Sequence, residues 1–225
     1  MPASRNRVRG GALGALQRSN YAWLLVALLL LILVSALFDS APYQGAFVLT
    51  PLLTLVLIAT VFALSEHRRD LLVAGTLAAA WLLLTWGTIG STTLALEVSE
   101  RLLLICLNIY AIAVILMQII TRNRDIDLNI VMGTLAIYML LGVTWAVAYD
   151  LIEEISPGSF QVPKGDQHSR WNQLLFFSFT TLTTLGYGDI TPNSAFARIL
   201  SVIEAMTGVL FVAVMIARTV SLLKR

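Results

Sequence analysis

The segment Thr180-Thr181-Leu182-Thr183-Thr184-Leu185-Gly186-Tyr187-Gly188-Asp189 decides how this 225-residue chain is read. An apolar, threonine-bearing run starts at Trp171 and leads into it, and Pro192 follows it. That run, about 14 residues long, is too short to cross a bilayer, which takes about 20. Segments of this length are buried core helices or re-entrant elements. Gly186 and Gly188 then allow positive φ without the Cβ penalty. Spaced by two, they permit a backbone that alternates between ordinary and left-handed conformations. Such irregular backbone is tolerated at membrane depth only where it is buried in protein or lines a water-filled cavity. The expectation is a short helix over 171–183 running into an extended stretch over 184–189.

Outward from this segment, six apolar runs occupy residues 21–38, 47–64, 71–89, 102–120, 130–149 and 194–217. Each falls within the ~17–25 residues of a spanning helix. The chain is 58% hydrophobic and 12% charged, against about 25% charged in soluble domains. Backbone groups in lipid must be paired within the segment, so the spans are read as helices. The fold class expected is an all-α membrane protein of six transmembrane helices with a re-entrant pore helix and loop. The first run follows Arg5, Arg7, Arg9 and Arg18 like a secretory signal, but it exceeds a signal core of about 7–15 residues and is read as a retained span.

Lys and Arg set the orientation. With the N-terminus inside, eleven fall on the inner side: Arg5, Arg7, Arg9, Arg18, Arg68, Arg69, Arg122, Arg124, Arg218, Lys224 and Arg225. Four fall outside: Arg101, Lys164, Arg170 and Arg198. The positive-inside rule then places both termini in the cytoplasm. The net charge of +2, with no basic stripe, makes nucleic acid an unexpected partner. One cysteine, Cys106, excludes an internal disulfide, and His67 and His168 are read as solvated.

The ten residues quoted at the outset resemble the signature sequence of potassium channels, whose filter reads Thr-Val-Gly-Tyr-Gly. Leu185 stands here in place of the valine. The resemblance covers about residues 130–220, the two-helix pore module. It implies an outer helix at 130–149, a turret at 150–170, a pore helix at 171–183, a filter at 184–189 and an inner helix at 194–217. Thr184, Leu185, Gly186, Tyr187 and Gly188 would supply oxygens that replace the hydration shell of permeant K+, chiefly backbone carbonyls. One chain gives a quarter of the coordinating ring, so a homotetramer is implied. Asp189 would bond toward Trp171 or a nearby hydroxyl. Phe176 and Phe177 would form an aromatic cuff around Tyr187. Gly208 falls at the family's hinge position, while close helix packing is the other reading of that glycine. The resemblance and the short tails also suggest a bacterial inner membrane.

Glu204 is the unusual residue, because a carboxylate at membrane depth costs roughly 2.5–3.5 kcal/mol on insertion scales. It is expected to lie behind the filter and bond pore-helix hydroxyls such as Thr180 or Thr183, or else to face the aqueous cavity. On either reading a Glu204→Gln exchange is expected to alter filter stability or gating.

The first four helices (21–120, after a tail at 1–20) occupy the place of a voltage sensor. Residues 102–120 contain no Lys or Arg, and the second and third spans contain no Asp or Glu. A charge ladder is what voltage sensing requires, so a scaffold is expected. The linker at 121–129 is read as a solvated turn at Arg122 to Asp127, with a short surface helix that couples the scaffold to the pore as the other reading. No catalytic constellation, cofactor or ligand-binding domain is expected. A weakly selective cation channel and a non-conducting membrane subunit are the alternatives to a potassium channel.

Overall fold

A computed structural model describes residues 20–37, 44–64, 68–87, 93–121, 128–163 and 168–223. The arginines at 5, 7, 9, 18, 122 and 124, along with His67, Lys164, Lys224, Arg225 and most of the expected linker, lie outside these residues. The elements are α1 (Asn20–Leu37), α2 (Gln44–Ala63), α3 (Arg68–Gly87), α4 (Leu94–Thr121), α5 (Leu128–Ile155), β1 (Phe160–Gln161), α6 (Arg170–Leu182), β2 (Thr191–Pro192) and α7 (Ala195–Leu223). Apart from one two-residue antiparallel ladder, β1 on β2, the described regular structure is helical.

Among the described residues, three helical stretches are long and apolar enough to cross a membrane: Leu94–Thr121, Leu128–Ile155 and Ala195–Arg218. Shorter apolar helices occur at Tyr21–Leu37 and Thr50–Ala63. The chain is thus an integral membrane protein of apolar helices.

α5 is the central element; it packs on α1, α4, α6 and α7. Its buried positions, including Gly133, Ala136, Ile137, Leu140, Val143 and Val147, recur at three- and four-residue steps. That spacing puts them on contiguous faces of a helix with 3.6 residues per turn. α4 answers with Leu104, Leu107, Ala111, Ile115 and Ile119, and α1 with Leu24, Leu28 and Leu31. Small residues such as Gly133 and Ala136 let these helices approach closely, the usual basis of packing where lipid removes the hydrophobic drive between spans.

α4 begins eight residues before the expected start of its span, and α5 runs six residues past its expected end. The cause is an ion-pair cluster. Arg101 on α4 pairs with Glu97 at 3.6 Å, Asp150 at 2.6 Å and Glu154 at 3.3 Å. Arg170, the first residue of α6, pairs with Asp150 at 2.7 Å and Glu154 at 2.6 Å. These charges are matched across three helices, so the polar residues that read as a break continue the helical turns.

Candidate functional site: the segment 184–189 and its support

α6 is capped at its N-terminus by Ser169, whose hydroxyl accepts the Asn172 N–H at 3.3 Å. At its other end the following segment closes the helix. The Thr183 N–H reaches Phe179 O at 3.1 Å, and the Thr184 N–H reaches Thr181 O at 2.9 Å. The Thr180 carbonyl accepts both the Leu185 N–H at 2.8 Å and the Gly186 N–H at 3.1 Å. Carbonyls in the last turn of a helix lack intrahelical donors, so the segment is tied to the helix by the bonds the helix needs. This C-terminal end also carries about half a negative charge from the helix dipole, which favours a nearby cation.

Beyond that anchor the backbone alternates. Thr184 has φ +58°, Gly186 +54° and Gly188 +81°, with Leu185 and Tyr187 between them in ordinary regions. The two glycines adopt this conformation freely. Thr184 does so at a cost of about 1–2 kcal/mol, and the sequence had not marked it as left-handed. Strain of this kind gathers at functional sites.

Phe176 stacks on Tyr187, with ring centroids 5.8 Å apart and planes 10° from parallel. Phe177, expected in the same cuff, points elsewhere. It joins Tyr149 at 5.2 Å and Phe160 at 5.4 Å in a second buried cluster with Leu174, Ile190 and Ala197. Consecutive helix residues are about 100° apart, so both rings could not face one tyrosine. Asp189 does not reach Trp171; its carboxylate accepts the N–H of Ile190 at 2.9 Å. Trp171 packs against the main core, and its indole N–H has no hydrogen-bond partner among the described residues.

Glu204 on α7 is wholly buried. The hydroxyls of Thr180 and Thr183, expected to meet it, turn back onto the α6 carbonyls of Phe177 at 3.0 Å and Phe179 at 2.6 Å. Instead the Tyr149 hydroxyl donates to Glu204 Oε2 at 2.5 Å. Ser178 Oγ lies 2.6 Å from Glu204 Oε1 and 2.7 Å from the Gly142 carbonyl. Ser178 and Tyr149 were missed from sequence. Spacing offered a clue: Glu204 and Gly208 are four apart, as are Ser178 and Leu182, so each pair shares a helix face. The faces meet in that register. A Cβ on Gly208 would fall 2.0 Å from the Leu182 carbonyl oxygen. Gly208 is therefore a point of close contact between α7 and the end of α6.

The far side of the segment is held by β1 and β2. Phe160 pairs with Pro192 and Gln161 with Thr191. The N–H groups of Asn193 and Ser194 donate to Ser159 O at 2.7 and 3.2 Å. Ser194 then caps α7, its hydroxyl accepting the Ala197 N–H at 3.2 Å.

A short capped helix and a backbone of alternating hand thus lie between two long apolar helices. Residues 135–225 match the family model described as "Ion channel". The chain is 30% identical over 101 residues to the inward rectifier potassium channel Kirbac3.1 of Paramagnetospirillum magnetotacticum, covering 43% of this chain and 30% of that protein. It is 34% identical over 84 residues to two pore potassium channel c of Oryza sativa subsp. japonica (37% of this chain, 17% of the relative). It is 31% identical over 62 residues to human potassium channel subfamily K member 17 (27% and 19%). The chain thus spans no more than 30% of the length of these relatives.

Proposed function

We propose that the chain is one subunit of a homotetrameric potassium-selective channel, with Thr184 to Gly188 as the filter. The single observation that carries this reading is the alternation of φ at Thr184, Gly186 and Gly188 directly below a helix C-terminus. In a ring of four copies, backbone carbonyls of such a stretch would replace the hydration shell of K+. The exposure of Leu185 and Tyr187, 57% and 67% in one chain, supports assembly, because these side chains would be covered by neighbouring subunits. The similarity of the pore module to proteins named as potassium channels supports the choice of ion.

The remaining features are read in the same frame. Six helices span the membrane, α6 re-enters from the outer side, and both termini face the cytoplasm. Asp189 and the ion-pair cluster around Arg101 then lie at the outer mouth. α4 carries Arg101 near its start and no further Lys or Arg through Thr121, so α1–α4 act as a scaffold without steep voltage dependence. Leu185 in place of valine keeps a weakly selective monovalent cation channel as the second reading. Ion flux into liposomes holding the purified protein, followed in K+ and then in Na+, tests the proposal. Uptake confined to K+ supports it, equal uptake favours the second reading, and no uptake of either ion refutes both.

A further inference from the structure

Behind the segment 184–189, four oxygen-bearing groups from three helices make three short contacts. Tyr149 Oη lies 2.5 Å from Glu204 Oε2, Ser178 Oγ lies 2.6 Å from Glu204 Oε1, and Ser178 Oγ lies 2.7 Å from the Gly142 carbonyl. Oxygens this close need a hydrogen between them. The hydroxyls of Tyr149 and Ser178 carry one each, while a carbonyl carries none, and neither does an ionised carboxylate. With Glu204 ionised, two hydrogens must serve three contacts, and one pair of bare oxygens is left facing at 2.7 Å or less. A proton on Oε1 removes the deficit. The Tyr149 hydroxyl then donates to Oε2, the acid donates from Oε1 to Ser178 Oγ, and Ser178 donates to the Gly142 carbonyl. This assignment places one hydrogen in every contact.

Burial points the same way on separate grounds. Glu204, Ser178 and Tyr149 are each 0% exposed. Among the described residues no Lys, Arg or His forms an ion pair with Glu204; Arg101 and Arg170 pair with Glu97, Asp150 and Glu154. A carboxylate without a counter-charge in such a place is strongly disfavoured, and the group neutralises instead.

We propose that Glu204 is a neutral carboxylic acid whose proton bonds Ser178, and that this bond sets the position of α6 and hence of the segment it carries. The first half of the proposal stands on the hydrogen count; the consequence for conduction rests on the channel reading above. The route to the filter is short. Ser178 is one turn before Leu182, whose carbonyl seats Gly208, and two residues before Thr180, whose carbonyl holds the N–H groups of Leu185 and Gly186. A displacement of Ser178 is passed along less than two turns of rigid helix. Glu204 is a positioning residue in this scheme and does not itself contact the ion.

Glutamine is the discriminating substitution. Its amide N–H can donate to Ser178 while its carbonyl accepts from Tyr149, reproducing the pattern of the neutral acid. Glu204→Gln is therefore expected to conserve function, which reverses the expectation drawn from sequence alone. The first measurement is a difference infrared spectrum at neutral pH, wild type minus Glu204→Gln, both in lipid bilayers. The expected signal is loss of one protonated-carboxyl C=O stretch, and loss of carboxylate intensity instead overturns the proposal. The second measurement is K+ flux. Glu204→Gln is expected to stay within about twofold of wild type, whereas Glu204→Ala falls by at least about tenfold, the equivalent of about 1.4 kcal/mol. Equal losses in the two variants overturn the positioning role. A wild type that shows the infrared band but carries no K+ refutes the channel reading and leaves the assignment of the proton standing.

Discussion

Gly208→Ala is the sharpest perturbation of the contact between α7 and α6. The added methyl would sit 2.0 Å from the Leu182 carbonyl oxygen, 2.9 Å from its carbonyl carbon and 3.1 Å from its Cδ1. Two of those atoms are backbone, so no rotamer change can relieve the overlap. Ordinary carbon–oxygen contact lies above about 3 Å, so the helices must part by about 1 Å or α6 must tilt. Overpacking of this kind costs about 1–3 kcal/mol. At about 1.4 kcal/mol per decade, that is roughly a fivefold to 150-fold change in the equilibrium between packed and disrupted forms. The Leu182 carbonyl is two residues from Thr184, so the displacement falls where the proposed filter begins. The assay pairs thermal unfolding of the protein in bilayers with K+ flux from liposomes. A lowered midpoint together with reduced flux is expected. An unchanged midpoint with altered channel opening would refute the packing argument and favour the hinge reading of Gly208.

Other expectations follow from the same contacts. Arg101→Gln leaves Glu97, Asp150 and Glu154 to share Arg170, and should lower thermal stability by about 1–3 kcal/mol, the range for charge-assisted bonds at partly buried groups; unchanged unfolding at low ionic strength would show the cluster to be ornamental. Phe176→Ala removes the ring stacked on Tyr187 and should cost about 0.5–1.5 kcal/mol beyond lost area, read as faster loss of K+ flux on heating; Phe177→Ala should destabilise through the other cluster without shifting ion preference. Leu185→Val should leave the reversal potential unchanged, because the proposed ligand at that position is the backbone carbonyl; a large shift would assign selectivity to the side chain.

The succession of short helix, alternating backbone and long helix was legible in the sequence because its signals are local. A Gly-x-Gly pair after a run too short to span, flanked by two spans, constrains the backbone without tertiary information. What escaped depended on partners distant in sequence. The early start of α4 at Leu94 follows from Arg101 meeting Asp150 and Glu154, residues 49 and 53 positions away. Without those partners, Glu97, Glu100 and Arg101 read as a polar break. The family resemblance puts Phe177 in the cuff with Phe176, but helical phase separates the two by about 100°. The hydroxyls of Thr180 and Thr183 are the partners of Glu204 expected from sequence. Thr180 and Thr183 bond their own helix, a local alternative open to such side chains. Ser178 was left for the carboxyl because it shares the face of Leu182, and that face is the one against α7. The left-handed Thr184 had no sequence mark, since the residue type disfavours the conformation.

The most direct test of the central claim is the reversal potential of the reconstituted protein with K+ on one side of a planar bilayer and Na+ on the other. The account expects a current that reverses strongly toward the K+ equilibrium potential, as a ring of carbonyl ligands built from Thr184 to Gly188 requires. A reversal near zero, or no current from correctly assembled protein, would contradict it.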